Sequence, residues 1–235
     1  MEGHPHTHTE RKKWHHYFWE FFMLFLAVTL GFFVENQREH YVEHQREKQY
    51  IRSMVEDLKS DTVQINGIIN TENNYILFTD SLLAELLNEN IKTNSNKAYQ
   101  LWENARGFPD FFQNDRTIQQ LKNSGGLRLI RNTQVSDSNM AYDNLVRRFS
   151  SLQQLTNNFI VKTIDIKYRL FAIASLRNKK DKPIPLLSPG ADFLEEVYGL
   201  KLDYKNLLFV LINYNIRLKQ RATNLITLIE KEYHL

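Results

Sequence analysis

The sequence predicts an all-α chain in which an N-terminal transmembrane helix continues into an extended bundle of three long helices with a short-helix insertion. Glycine and proline are scarce, with 8 and 5 in 235 residues, whereas sandwiches, barrels and doubly wound α/β folds need many more turn residues. Apolar side chains also recur every seven residues over long stretches, which is typical of packed helices.

The composition excludes several classes of protein. The chain is 42% hydrophobic and 24% charged, as in ordinary folded domains, so it is not intrinsically disordered. Its 30 basic and 27 acidic residues are mixed along the chain, which does not indicate a nucleic-acid partner. The mean hydropathy is negative, which argues against a multi-span transporter. Because there is no cysteine, disulfides and thiolate chemistry are excluded.

The most informative stretch is the predicted transmembrane helix, residues 14–35, which follows a short tail of residues 1–13. Its interior from Phe21 to Val34 carries no charge, and about 21 residues cover the roughly 30 Å hydrocarbon core. Phenylalanines surround the whole helix, which argues against the core helix of a soluble protein. A cleavable signal peptide would need small residues where Glu35 to Arg38 stand. We therefore expect an uncleaved anchor.

Basic residues on the two sides of this helix are nearly balanced. A contiguous block precedes it, and three further basic residues follow within range of the positive-inside rule. Because the first block is closer and more clustered, we expect the N-terminus in the cytoplasm and residues 36–235 on the other side. The residues concerned are Arg11, Lys12, Lys13, Arg38, Arg46 and Lys48.

Two features of the predicted span bear on function. Ala27 and Gly31 form a small-xxx-small pair that allows another helix to approach closely. Glu20 stands one turn after His16, and an ionisable group at membrane depth is a functional candidate. Glu20 either reaches the basic interface or bonds with His16 or Lys13, and the alternative is that it relays protons.

Residues 36–235 are predicted to form the helical-bundle domain. We expect the first long helix to end near residues 90–96, and short helices at 98–105 and 116–122 to form an insertion over about 98–132. Ser136 is expected to cap a helix of about 40 residues, a proline-rich loop covers 177–191, and a last helix runs from about 203 to 233. The seven-residue repeats are Ile51, Leu58 and Ile65; Leu145, Leu152, Phe159, Ile166 and Ile173; and Tyr204, Leu211, Leu218 and Leu225.

A second motif, Ile118 to Asn132, predicts a structural corner that docks the insertion on the bundle. Paired glycines permit a turn with positive φ, and apolar side chains surround them. The alternative is an anion-binding turn with Lys122, Arg128 and Arg131 as contacts. Within the same motif, LRLIR at 127–131 is the only strand candidate. The corner residues are Leu121, Lys122, Ser124, Gly125, Gly126, Leu127 and Ile130.

Signals for chemistry are weak. His4, His6 and His8 alternate in the tail, where they form either a polar tail or a weak metal site. His40 and His44 are one turn apart, a spacing able to hold one metal, but the pattern of a zinc protease is missing. No nucleophile elbow, phosphate loop or dinucleotide fingerprint occurs. Acidic residues are expected mostly on solvated helix faces, so we expect neither an enzyme nor a cofactor.

The chain resembles a family of bacterial single-span membrane proteins of unknown function. One part of the resemblance is the anchor with its small residues, Asn36 and the charged helix that follows. The other is the segment IQQLKNSGGLRLIRN, similar to the family's LK-S-G-x-L-x-L-I-x-N motif. The phenylalanine-rich span and histidine-rich tail depart from the family pattern. The resemblance implies an inner-membrane anchor with a periplasmic helical domain in a gram-negative bacterium, and no catalytic residue carries over.

Together these observations favour a membrane-anchored structural or interaction protein. Its expected partners are membrane lipid and either further copies of the chain or another membrane protein. The competing class is a sensory or ligand-binding helical module, with a pocket lined by Tyr168, Arg169, Tyr204 or Tyr214. Because only about thirteen residues precede the span, such a sensor would act through a separate partner.

Overall fold

The computed structural model describes residues 14–92, 95–174, 184–187 and 190–235. Within these residues no β-strand forms, and Phe171 and Leu186 make an isolated antiparallel bridge. The predicted all-α class is confirmed for this part of the chain. The α-helices are α1 (Trp14–Leu86), α2 (Asn96–Asn104), α3 (Arg116–Asn123), α4 (Thr133–Leu170) and α5 (Ala191–Tyr233), with 3-10 turns at Glu89–Lys92 and Gly126–Leu129.

The chain divides into two compact units, Met1–Gln49 and Tyr50–Leu235. In the first unit the structure describes residues 14–49, all of them in α1. In length and composition, α1 is able to cross a membrane, and its most apolar 18-residue window contains no buried residue. Two of its apolar side chains, Phe21 and Leu24, are 66% and 67% exposed. An apolar stretch without protein packing is the arrangement expected of a helix whose solvent is lipid.

The second unit has its core between α1, α4 and α5. The largest apolar cluster joins the Ile51–Ile68 part of α1 to the first half of α4 and the last half of α5. Another cluster joins Leu82 and Leu86 of α1 to the end of α4 and the start of α5. These pairings make α4 run parallel to α1 and α5 run antiparallel to both.

The predicted apolar stripes of α1 and α5 are confirmed. Ile51, Leu58 and Ile65 are buried, and so are the four repeat positions of α5 from Tyr204 to Leu225. On α5, Leu200 and Ile212 are buried beside a stripe of ten further buried positions. The ten positions alternate in steps of four and three residues along the helix, the spacing of a helix packed between neighbours. Those positions are Val197, Lys201, Tyr204, Leu208, Leu211, Asn215, Leu218, Ala222, Leu225 and Ile229.

The predicted stripe of α4 is confirmed only at Ile166, which is buried. Leu145, Leu152 and Phe159 are only half-buried, and Ile173 lies beyond the helix end. The face that packs inward is shifted and includes two threonines. Their hydroxyls donate to backbone carbonyls of the same helix, Thr156 to Gln153 and Thr163 to Ile160, so these polar groups are satisfied inside the core. The inward positions recur every seven residues at Val135, Tyr142, Phe149, Thr156, Thr163 and Leu170.

Several predicted boundaries differ from the structure. α1 ends at Leu86, before the expected breaker, and a 3-10 turn follows it. α4 begins at Thr133 because Asn132, not Ser136, caps it: the Asn132 side chain accepts a hydrogen bond from the Val135 amide at 3.1 Å. α5 begins at Ala191 instead of residue 203.

Two further predicted segments are a strand candidate and the proline-rich loop. Residues 127–129 of the LRLIR segment belong to the 3-10 turn Gly126–Leu129, and the segment forms no strand. Of the predicted proline-rich loop, residues 184–187, 190 and 191 are described, and the remainder lies outside the described residues. The amide of Leu187 donates to the carbonyl of Leu170, which ties this segment to the end of α4.

Candidate functional site: the apolar helix and the polar groups of the second unit

The ionisable pair of the predicted span lies on one face of α1. His16 Nε2 and Glu20 Oε1 are 3.0 Å apart, and both side chains are about half exposed. This i,i+4 contact is the one expected if Glu20 bonds with His16. Ala27 and Gly31 lie further along the same helix and are exposed. Nothing lies within 4 Å of the position that a Cβ on Gly31 would take, so this face is open to a neighbouring helix.

Of the possible metal ligands, His40 and His44 lie among the described residues. No group of three or more potential ligands from histidine, cysteine and acidic side chains is found there. His44 Nδ1 lies 3.4 Å from Glu47 Oε2, and His40 is exposed one turn earlier. His4, His6 and His8 lie outside the described residues.

The paired glycines form a tight turn between α3 and α4. Gly125 has a φ of 66°, a conformation that glycine adopts at little cost. A Cβ on Gly126 would come within 2.9 Å of Ser124 Oγ and 3.2 Å of Leu121 Cδ2. Leu121 and Ile130 are buried and Leu127 is half-buried beside them.

Lys122, the cation shared by the corner and anion-site interpretations, is already engaged. Its Nζ lies 2.8 Å from Asp143 Oδ2, and Arg147 contacts the same oxygen at 2.8 Å. Because Asp143 is nearly fully buried and Lys122 is mostly buried, this ion pair fixes the corner against α4. The contact favours a structural role for Lys122.

Four acidic side chains, Glu47, Asp61, Glu72 and Asp143, are buried and are exceptions to the expectation that acidic residues lie mostly on solvated faces. Asp61 is 1% exposed and accepts hydrogen bonds from Tyr142 Oη and from the amide and side chain of Asn114, each at 2.8 Å. One turn earlier, Asp57 accepts hydrogen bonds from Thr117. Burial raises the pKa of Asp61, while its donors oppose the rise. The two carboxylates hold the 110–117 segment on α1.

A second buried carboxyl pairs with an amide. Glu72 Oε2 accepts from Asn215 Nδ2 at 3.0 Å. Glu72 Oε1 and Asn215 Oδ1 are both buried without a hydrogen-bond partner. Burial raises the pKa of Glu72 to about 7, against the hydrogen bond from Asn215. Protonation would remove the charge of this buried carboxyl and would give it an O–H donor.

We expect this carboxyl to make the stability of the second unit depend on pH. The folded pKa of about 7 exceeds the ordinary value of 4.5, so the contribution is complete below about pH 4.5 and is lost as the pH rises through 7. Between pH 5 and pH 8 the free energy of unfolding should fall by about 2 kcal/mol from this group. Chemical denaturation of the detergent-solubilised chain at both pH values measures this difference in the free energy of unfolding.

The control for this prediction is a comparison of variants. Glu72→Gln keeps a donor at all pH values, so it should remove this part of the pH dependence. Glu195→Gln changes an exposed carboxyl on α5 and should leave the dependence as in the parent chain. Equal pH dependence in Glu72→Gln and the parent would contradict the assignment.

Lys201 is the other unexpected buried ionisable group. It is 1% exposed, and its Nζ lies 3.6 Å from the centre of the Trp102 ring and 3.4 Å from the Ala105 carbonyl oxygen. Burial lowers the pKa of Lys201 to about 7, while the nearby Glu103 carboxylate raises it. The face of the Trp102 ring also favours the charged form.

A cavity of about 430 Å³ lies between α4 and the end of α2, and Trp102 is one of its lining residues. Its wall is mainly apolar, and two cations contact one carboxylate beside it. Arg106 lies 2.7 Å from Glu103 Oε2, and Lys167 lies 3.0 Å from Glu103 Oε1. Lining residues include Trp102, Arg106, Ile160, Ile164, Lys167 and Tyr168.

The residues named for a possible ligand pocket are dispersed. Tyr168 lines the cavity. Tyr204 is buried and donates to the Gly107 carbonyl at 2.7 Å, while Arg169 is about half exposed and faces Asp165 and Glu196. Tyr214 stacks on Phe149, 5.9 Å away. Sequence reasoning therefore identified one residue of the wall and missed Trp102, Arg106 and Lys167.

Comparisons of the chain with protein-family models, with curated proteins and with solved structures found no significant match.

Proposed function

We propose that this chain is a membrane-anchored structural or interaction protein without catalytic activity. The observation that carries the proposal is the apolar stretch of α1, which is long enough to cross a bilayer and has no buried residue in its most apolar window. In a bacterium of the kind that the resemblance implies, α1 would cross the inner membrane at residues 14–35. The second unit would then be an extended three-helix bundle in the periplasm.

The partner of this anchor is proposed to be a second copy of the chain or another membrane protein. In lipid, close backbone approach replaces the hydrophobic effect as the source of helix association. A neighbouring helix can come close to the α1 backbone at the exposed Ala27 and Gly31, because neither residue carries a bulky side chain. Membrane lipid would contact the remaining faces of the span, and no nucleic-acid partner is proposed.

Native mass spectrometry of the gently solubilised full chain tests this function. We expect an oligomer or a complex with a co-purifying membrane protein. Gly31→Ile should weaken that assembly by about tenfold, because a β-branched side chain separates the helix backbones, at a cost near 1.4 kcal/mol. Thr29→Ile, on another face of the same helix, is the matched control. A strictly monomeric parent chain with no co-purifying protein would contradict the proposal.

A second candidate function is a sensory or ligand-binding helical module that acts through a separate partner. The cavity beside Trp102 and Tyr168 favours it, since small-molecule sites are concave and mostly apolar with a few polar groups. A ligand there would contact both α4 and the segment after α2. Binding would therefore stabilise one arrangement of these two elements over others.

A further inference from the structure

We propose that the cavity between α2 and α4 binds a small amphipathic carboxylate, with the acid group at Arg106 and Lys167 and the apolar part against Trp102, Ile160 and Ile164. The proposal deepens the second candidate function and rests on it.

The size and wall of the cavity suit a small organic molecule. Its volume of about 430 Å³ falls in the range of roughly 300–1,000 Å³ typical of ligand sites. Trp102 is 2% exposed and is held edge-on by Phe171, with ring centres 5.9 Å apart. A fixed aromatic wall loses little conformational entropy when a ligand packs on it.

The charges beside the cavity select an anion. Arg106 and Lys167 share Glu103 as an acidic partner, so two cations face one carboxylate there. Arg106 keeps further guanidinium N–H groups beyond the contact with Glu103. Lys167 is only 13% exposed, so its attraction for an anion is screened less by water than that of a surface lysine. A carboxylate is therefore favoured over a neutral ligand of the same shape.

Lys201 adds a third amine or guanidinium group near the cavity wall. Its Nζ lies against the face of Trp102, which also lines the cavity. It lies close enough to Lys167 and Glu103 for each to influence its ionisation. An anion in the cavity would favour the ammonium form of Lys201, and it would offset the repulsion between Lys201 and Lys167.

The test uses the full chain in detergent, labelled with 5-fluorotryptophan and observed by fluorine NMR. The chain has three tryptophans, and Trp102→Phe identifies the resonance of Trp102. Phenylacetate is the probe, and phenylacetamide is the neutral control of the same shape. We expect both to shift the Trp102 resonance saturably, with phenylacetate binding about tenfold more tightly.

Variants locate the charge preference. Arg106→Gln with Lys167→Gln should reduce the ratio of the two affinities to one or below, because the Glu103 carboxylate would then lie beside the cavity without its two cations. Arg147→Gln, which removes an exposed arginine elsewhere on α4, should leave the ratio unchanged. Equal binding of acid and amide to the parent chain would overturn the carboxylate proposal and leave a ligand-binding function standing. No shift of the Trp102 resonance with either probe would overturn both.

Discussion

Replacing Leu24 and Val28 by lysine is expected to release the chain from the membrane fraction. The two side chains are 67% and 66% exposed on α1, and they stand one turn apart in the middle of the apolar stretch. A lysine at the centre of a transmembrane helix costs about 2.5–3.5 kcal/mol, and each replaced apolar residue contributed about 0.3–0.6 kcal/mol. The pair therefore costs about 6–8 kcal/mol of insertion free energy. Ultracentrifugation and immunoblotting of the two fractions measure the shift.

The matched control places the same two lysines elsewhere on the same helix. Val63 and Leu77 are 75% and 64% exposed in the second unit, so Val63→Lys with Leu77→Lys adds equal charge outside the apolar stretch. This variant should remain in the membrane pellet. If the Leu24 and Val28 variant pelleted as completely as the parent chain, the apolar stretch would not be the anchor.

Trp102→Ala is expected to cause the largest loss of stability from a single substitution in the second unit. Trp102 is 2% exposed, contacts Phe171 edge-on and covers the amine of Lys201. Truncating a buried tryptophan to alanine costs about 3–5 kcal/mol. For a domain of this size that lowers the unfolding temperature by about 10 °C. Thermal unfolding followed by circular dichroism in detergent measures the change.

Two further variants test whether the loss of stability comes from the buried position of Trp102 or from the removal of any aromatic ring. Phe112→Ala removes an aromatic side chain that is 71% exposed in the same unit, so it should change stability by less than about 0.5 kcal/mol. Trp102→Phe keeps a ring beside Lys201 and should lose less than half as much as Trp102→Ala. A Trp102→Ala variant that unfolds at the temperature of the parent would show that this cluster contributes little.

The long helices were predictable because local periodicity and burial agree in them. On α1, the repeat of Ile51, Leu58 and Ile65 places all three in the core. On α4 the inward face depends on tertiary contact, since Tyr142 bonds to Asp61 on α1. A search for apolar residues alone cannot find a face that contains threonine, aspartate and asparagine. The N-cap of α4 could not be predicted either. Several polar residues near Asn132, Ser136 among them, are of a type able to cap a helix.

The buried polar residues of the candidate site could be recognised in the sequence by their positions in the seven-residue repeats, although not by a search for apolar residues. Continuing the α1 repeat by seven from Ile65 gives Glu72 and then Thr79, and both are buried. On α5, Lys201 and Asn215 occupy the same repeat position as Leu208 and Ala222. A polar residue at a core repeat position is itself a prediction of a buried polar contact.

The partners of these polar residues could not be predicted from the sequence. Asn215 lies 143 residues from Glu72 along the chain, and the Ala105 carbonyl lies 96 residues from Lys201. Helix periodicity fixes which face of a helix is buried but not the axial alignment between helices. The cavity was unpredictable for the same reason, because its wall combines α4 with the end of α2.

The central claim, that the chain crosses the membrane once, is tested most directly by labelling single cysteines in intact cells with a membrane-impermeant thiol reagent. The parent chain contains no cysteine, so Thr7→Cys and Asn178→Cys each supply a unique site. With the outer membrane permeable to the reagent, Asn178→Cys should be labelled in intact cells and Thr7→Cys only after lysis. Labelling of both sites, or of neither, in intact cells would contradict a membrane-crossing chain, and labelling of Thr7→Cys alone would reverse the orientation.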